Sequence, residues 1–217
     1  MSPQLVVCGT DTDVGKTVLS ALLVLGLGAR YWKPVQCGLD GGGDSVRVRR
    51  MLGLSAAEAE ARILPEAYRY THPVSPHWAA ELEERPLDPD RLTLPGGDGP
   101  LVVETAGGLL VPLRRDLLQI EQIRRWGLPV LLVARSGLGT LNHTLLSVEA
   151  LRRRQIPLLG LVLNGPPHAD NPGTLATLTD APVLACLPPL PELTARTLAI
   201  AWQGSGLADG LARSLGQ

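Results

Sequence analysis

Short apolar runs recur along the chain, separated by glycine-rich or polar stretches and by longer segments dense in Leu, Ala and Val. Leu5-Val6-Val7-Cys8 reads as a buried strand. After a Gly/Thr/Asp loop, Lys16 to Gly28 has the apolar density of a packed helix. Tyr31 to Val35 predicts a second strand, ended by the loop Gly38-Leu39-Asp40-Gly41-Gly42-Gly43. Asp44 or Ser45 then caps a helix that runs through Val46, Val48 and Met51 to about Gly53. Further strands are predicted at Leu101 to Glu104, Val130 to Val133, Leu158 to Leu163 and Val183 to Cys186, with helices near 116–126, 141–154, 194–202 and 205–215.

Strand and helix in alternation imply parallel βαβ units. The expected fold is α/β: one doubly wound, mostly parallel sheet with helices on both faces, forming a single domain over residues 1–217. Arg85 to Pro100, with four prolines and three glycines, reads as a surface loop inside that domain, because strands on either side continue the alternation. Arg152-Arg153-Arg154 falls at a helix C-terminus, where positive charge offsets the helix dipole.

Composition narrows the classes. With 45% hydrophobic and 19% charged residues, the chain has the means to bury a core and is not a disordered polymer. No apolar run approaches the roughly 18–20 residues of a membrane span. A net charge of −1 argues against a general nucleic-acid binder. The start, Met1-Ser2-Pro3-Gln4-Leu5, lacks the basic and apolar regions of a secretory signal. Cys8, Cys37 and Cys186 are odd in number and widely spaced, and the four histidines show no metal-ligand spacing. A cytoplasmic protein is expected. Of 20 basic residues only Lys16 and Lys33 are lysines, so the places where a compact ammonium persists gain weight.

Lys16 lies in Gly9-Thr10-Asp11-Thr12-Asp13-Val14-Gly15-Lys16-Thr17, after a strand and opening a helix, which is the context of a phosphate-binding P-loop. Backbone N–H groups at the helix start face phosphate oxygens and the dipole favours their charge. Gly15 permits close approach, Lys16 reaches the β- and γ-phosphates, and Thr17 offers a hydroxyl to Mg²⁺. The spacing departs from G-x-x-x-x-G-K-[ST], since five residues separate Gly9 from Gly15 and Thr10 takes the place of the first glycine.

Lys33 ends the second strand just before Pro34. In an open α/β sheet ligands bind beyond the carboxyl ends of the strands, so Lys33 faces the crevice of the P-loop. Asp44 and Glu104 reach the same edge, where Mg²⁺ takes one or two carboxylates with waters and phosphate oxygens. Asp44 serves equally as a helix cap on pattern alone. Glu104, directly after Leu101-Val102-Val103, is costly to bury unpaired.

These stretches resemble the dethiobiotin synthetase family, ATP-dependent ring-closing enzymes of biotin synthesis. The resemblance is carried by Gly9 to Thr17 (GTDTDVGKT), Trp32 to Gly38 (WKPVQCG), Ser75 to Ala80 (SPHWAA), Glu104 to Leu113 (ETAGGLLVPL), Leu138 to Leu146 (LGTLNHTLL) and Leu161 to Asn164 (LVLN). It implies a P-loop NTPase-like fold and a Mg²⁺-dependent reaction of ATP, CO₂ and 7,8-diaminononanoate. One amine takes up CO₂ as a carbamate, ATP phosphorylates it, and the second amine closes the ureido ring. By this likeness Lys33 holds the carbamate, and Asp13, Val14, Gly15, Lys16, Thr17 and Val18 receive ATP. Thr17, Asp44 and Glu104 surround Mg²⁺, and Thr12 and Cys37 meet substrate. The backbone of Glu104, Thr105, Ala106 and Gly107 lies beside substrate and nucleotide. Asn164 reads the base, with Pro188, Pro189 and Leu190 flanking it. The family works as a homodimer, so Thr140, Leu141 and Asn142 at a helix start receive the substrate carboxylate from the partner chain.

Three departures from the family stand out. Cys37 replaces the usual Ser or Thr, Leu187 to Leu190 lacks an aromatic near the base, and Gly165 to Gly173 matches little. Rival readings fit less well. Partition and cell-division ATPases carry Lys-Gly-Gly-x-Gly-Lys-Thr, where this chain has Asp11-Thr12-Asp13. Cobyrinate-type ligases carry a glutaminase domain for which no residues remain, and a simple P-loop kinase would carry an arginine-rich lid.

Overall fold

The computed structural model describes residues 2–216. The first half of the chain runs β1 (Gln4–Gly9), α1 (Lys16–Leu27), β2 (Arg30–Trp32), β3 (Val35–Cys37), α2 (Asp44–Leu52), α3 (Ala56–Arg62), β4 (Ile63–Leu64), β5 (Tyr68–Tyr70) and α4 (Pro76–Leu82). The rest runs β6 (Leu101–Gly108), β7 (Pro112–Arg114), β8 (Leu117–Leu118), α5 (Gln119–Trp126), β9 (Val130–Arg135), α6 (Thr140–Arg153), β10 (Leu158–Asn164), α7 (Asn171–Thr179), β11 (Val183–Leu187), α8 (Ala195–Gly204) and α9 (Leu207–Ser214).

Among the described residues, seven strands form one sheet in the order β11-β10-β9-β1-β6-β2-β4, and every pairing in it is parallel. The chain winds from β1 toward β4 on one side and toward β11 on the other, so the doubly wound α/β fold read from the sequence is present. The period-two alternation of strand side chains splits each apolar run between two layers. Leu5, Val7, Tyr31, Val102 and Val133 pack with α1, α2, α8 and α9, whereas Val6, Cys8, Val103 and Leu132 pack with α5, α6 and α7. Covered on both faces, the strands need no polar side, and their runs are continuously apolar.

The structure corrects the reading in several places. The strand predicted over Tyr31 to Val35 breaks at Lys33-Pro34. Proline has no N–H for the ladder, so β2 stays in the main sheet and β3 pairs with β5 in a separate two-stranded parallel ribbon. Gly43 (φ 83°), not Asp44 or Ser45, occupies the cap of α2, with no side-chain cap bond. Between residues 116 and 126 the helix starts only at Gln119, because Leu117–Leu118 pair with β7. Five short elements, α3, β4, β5, α4 and β7, and the helix α7 have no counterpart in the sequence pattern. The Arg85–Pro100 loop is pinned by the Leu92 carbonyl, which accepts from Gln122 Nε2 at 3.2 Å and Trp126 Nε1 at 2.6 Å.

Candidate active site

The loop after β1 turns over the carboxyl edge of the sheet and delivers the chain to α1. Gly15 caps α1 at φ 100° with no side-chain cap bond, so the first N–H groups of the helix are open to an anion. A Cβ at Gly15 would overlap the Asn164 amide, with its Cγ at 2.7 Å. Asn164 Nδ2 in turn donates to the Val14 carbonyl at 3.2 Å, tying the base of the loop to the end of β10. Lys16 folds back and donates from Nζ to the Asp11 carbonyl at 2.8 Å. Burial, then the nearby Lys33 ammonium, lowers its pKa. Thr12 and Asp13 stand exposed on the crest, where Arg135 Nη2 donates to the Thr12 carbonyl at 3.2 Å.

Beside this cradle lies a buried charge cluster. Lys33 Nζ stands 2.8 Å from Asp44 Oδ2 and 3.0 Å from Glu104 Oε1, and donates to the Thr105 carbonyl at 3.0 Å. Glu104 Oε1 also accepts from Thr17 Oγ1 at 2.9 Å, and its Oε2 accepts from the Tyr31 hydroxyl at 3.0 Å. Burial alone would lower the pKa of Lys33, but the two carboxylates outweigh it and the net direction is up. Burial likewise opposes ionisation of Asp44, and the charge and hydrogen bond of Lys33 overcome it, so Asp44 is held below its ordinary value.

Two glutamines, which the sequence reading did not single out, brace the walls. Gln36 Oε1 accepts from the Asp44 N–H at 2.9 Å while Nε2 donates to Cys37 and Gly38 carbonyls, fixing the start of α2 against β3. Gln119 Oε1 accepts from the Ala106 N–H at 3.1 Å and its Nε2 donates to the Ala106 and Gly108 carbonyls, fixing the end of β6 beyond Glu104. Gln36 lies inside the WKPVQCG stretch and was within reach of pattern. Gln119 carries no sequence signal, since its partners at the end of β6 are met only through the fold.

Most predicted residues converge. Thr12, Asp13, Gly15, Lys16, Thr17, Val18, Lys33, Cys37, Asp44, Glu104, Ala106 and Gly107 line one cavity of about 860 Å³. A second, more apolar cavity of about 590 Å³ adjoins it through Val18 and is lined by Asn164, Pro188, Pro189 and Leu190. Val14 is buried beneath the loop, and Thr105 faces the core, its Oγ1 donating to the Val7 carbonyl at 3.3 Å. Thr140, Leu141 and Asn142 open α6 and line neither of these two cavities. Arg152 and Arg154 are engaged with the Thr179 carbonyl and Glu121, in keeping with a helix end rather than an anion site.

The donors fit a magnesium ion. A threonine hydroxyl and two carboxylates are hard oxygen ligands that converge beside the phosphate cradle, and Mg²⁺ is commonly bound by one or two carboxylates plus phosphate oxygens and water. Among the described residues no group of three or more His, Cys, Asp or Glu side chains could hold a metal by itself.

A parallel doubly wound sheet with this cradle after its first strand defines a P-loop nucleotide-binding protein. A family model described as an AAA domain matches residues 3–197. Over its full length the chain is similar in fold to the septum site-determining protein MinD of Pyrococcus horikoshii, solved with Mg-ADP, at TM-score 0.61 and 18% identity, covering 99% of this chain and 94% of that one. In sequence it is 50% identical to the ATP-dependent dethiobiotin synthetase of Rhodopseudomonas palustris over 94% of this chain and 96% of that protein. It is 50% identical to that of Agrobacterium fabrum over 97% and 98%. The chain belongs to the ATP-dependent dethiobiotin synthetase family and is an enzyme of the ligase class.

Proposed function

We propose that the protein, acting as one catalytic unit over residues 1–217, uses ATP to close 7,8-diaminononanoate and CO₂ into the cyclic urea of dethiobiotin. The observation that carries this reading is the placement of Lys33 at the end of β2, between Asp44 and Glu104 and facing the same cavity as Lys16.

The chemistry follows from where charge must be held. An amine of the substrate attacks CO₂ and loses a proton to give a carbamate. A carbamate oxygen attacks the γ-phosphorus of ATP, forming a carbamic-phosphoric anhydride and releasing ADP. The second amine then attacks the carbonyl carbon, the C–O bond to phosphate breaks, and a proton is lost as the ring closes. Two anions meet in the middle step, and a fixed cation between them lowers its barrier. Lys33, anchored by two carboxylates, is that cation and receives the carbamate. Lys16 exchanges the Asp11 carbonyl for the β- and γ-phosphates, which also meet the open N–H groups from Asp13 to Val18. Thr17, Asp44 and Glu104 would hold Mg²⁺, which supplies charge neutralisation on the phosphates.

Thr12 and Cys37 contact the diamine, the backbone from Glu104 to Gly107 forms its wall, and Asn164 with Pro188, Pro189 and Leu190 receives the base. Thr140, Leu141 and Asn142 bind the substrate carboxylate in the site of a second copy, so the working form is a homodimer, in the cytoplasm. Phosphate release from Mg·ATP and bicarbonate, measured with and without the diamine, tests the reading. Diamine-dependent release is expected. Release indifferent to the diamine would leave an ATPase and overturn it.

A further inference from the structure

Glu104 carries more hydrogen bonds than a carboxylate shared by a lysine and a threonine requires. Tyr31 lies on β2, registered opposite Val102 of β6. Val102 and Glu104 are two residues apart on one strand and therefore point to the same face, the one packed by α1. A side chain at position 31 is thus the diagonal neighbour of Glu104, and a phenol is long enough to reach it. The Tyr31 hydroxyl meets Oε2 at 3.0 Å, while Oε1 accepts from Thr17 and Lys33. Both Tyr31 and Glu104 are fully buried.

This division of labour between the two oxygens has a consequence. The two oxygens are equivalent, so what the phenol fixes is the plane of the carboxylate: turning that plane out of this orientation in a fully buried site leaves a donor without its acceptor. With the phenol bound to one oxygen, the carboxylate plane is held in one orientation, and the other oxygen is aimed at the Thr17 side. We propose that Tyr31 is a positioning residue for the metal and phosphate side of the site, acting through Oε2 of Glu104 without touching substrate or nucleotide. The proposal rests on the reading of Glu104 as a holder of Mg²⁺.

The test is calorimetric titration of Mg²⁺ into the ADP complex of the wild-type chain, Tyr31→Phe, Glu104→Gln and the double variant, with ADP affinity in EDTA measured alongside. Phenylalanine keeps the buried ring and removes only the donor, and urea unfolding confirms that each variant folds. Partners of metal-side ligands typically influence metal affinity by about 10- to 100-fold, so Tyr31→Phe is expected to weaken Mg²⁺ about tenfold. ADP affinity in EDTA should stay within about twofold, and Tyr31→Phe should add nothing further in the Glu104→Gln background. Unchanged Mg²⁺ affinity, a parallel loss of metal-free ADP binding, or equal weakening in both backgrounds would overturn it. If Mg²⁺ leaves ADP binding by the wild-type chain unaffected, the metal reading itself falls, and this proposal with it.

Discussion

Lys33 and Asp44 meet at 2.8 Å between Nζ and Oδ2, although one directly follows β2 and the other opens α2. The loop between them is held by Gln36, whose side-chain oxygen takes the Asp44 N–H at 2.9 Å. The acid at the first position of α2 therefore does not cap its own helix. It completes the anchoring of a buried lysine that Glu104 and the Thr105 carbonyl begin.

Lys33→Ala is expected to abolish ring closure while ADP affinity stays within a few-fold of wild type. Loss of the cation also leaves the fully buried Glu104 without its countercharge. Removing one partner of a buried pair typically costs about 3–5 kcal/mol, so the urea midpoint should fall as well. Calorimetry with ADP separates the roles. Equal loss of nucleotide affinity and turnover would make Lys33 a phosphate clamp instead.

The same cluster sets a pH window for stability. Asp44 ionises below its ordinary 3.8, so its contribution is complete above that pH and is lost as pH falls through the depressed value. Lys33 titrates above its ordinary 10.5, so its contribution is complete below 10.5 and is lost as pH rises through the raised value. Urea unfolding from pH 2 to 11 should show the acid loss diminished in Asp44→Asn. An unaltered acid limb would place the sensitivity elsewhere.

Gly15→Ala should remove nucleotide binding more completely than its size suggests. A methyl group there strains a φ of 100° and drives into the Asn164 amide, displacing the loop and Asn164 together. At least a tenfold loss of ADP affinity by calorimetry is expected, on the scale of about 1.4 kcal/mol per decade.

Gly26→Ala tests packing apart from the site. A Cβ on this face of α1 meets the Trp202 ring of α8, with Cζ2 at 2.5 Å. Overpacking of this kind costs about 1–3 kcal/mol. A lowered urea midpoint with ADP affinity retained is the expected outcome.

Cys37 lines the main cavity, yet burial, the largest influence, pushes its thiol up to about 12 despite the nearby Lys33 ammonium. It remains a protonated thiol at neutral pH, and the thiolate is the reactive form. Iodoacetamide at pH 8 should therefore label Cys37 far more slowly than a free cysteine, read by peptide mass spectrometry.

The main sheet was legible because its strands are buried on both faces and their apolar runs are unbroken, as in Leu5 to Cys8 and Leu101 to Val103. Elements of two or three residues, such as Ile63–Leu64 and Tyr68–Tyr70, have no period to read and exist through their partners. The apolar pattern carries the second strand on to Val35, whereas Pro34 marks the break that hands the chain from the sheet to the ribbon. At the site, Gly15, Lys16 and Thr17 are contiguous and their spacing has a mechanism. Glu104 announced itself as a charge at the end of an apolar run. Tyr31 and Gln119 did not, because each acts on β6 through contacts that only the fold creates.

The most direct test of the central claim follows the carbon. The protein, Mg·ATP, 7,8-diaminononanoate and isotopically labelled bicarbonate are incubated together, and the organic product is weighed by mass spectrometry. The account predicts one ADP and one phosphate per molecule of product, which is the diamine plus labelled CO₂ less one water. ATP hydrolysis that proceeds with the diamine unchanged, or a product without the label, would contradict it.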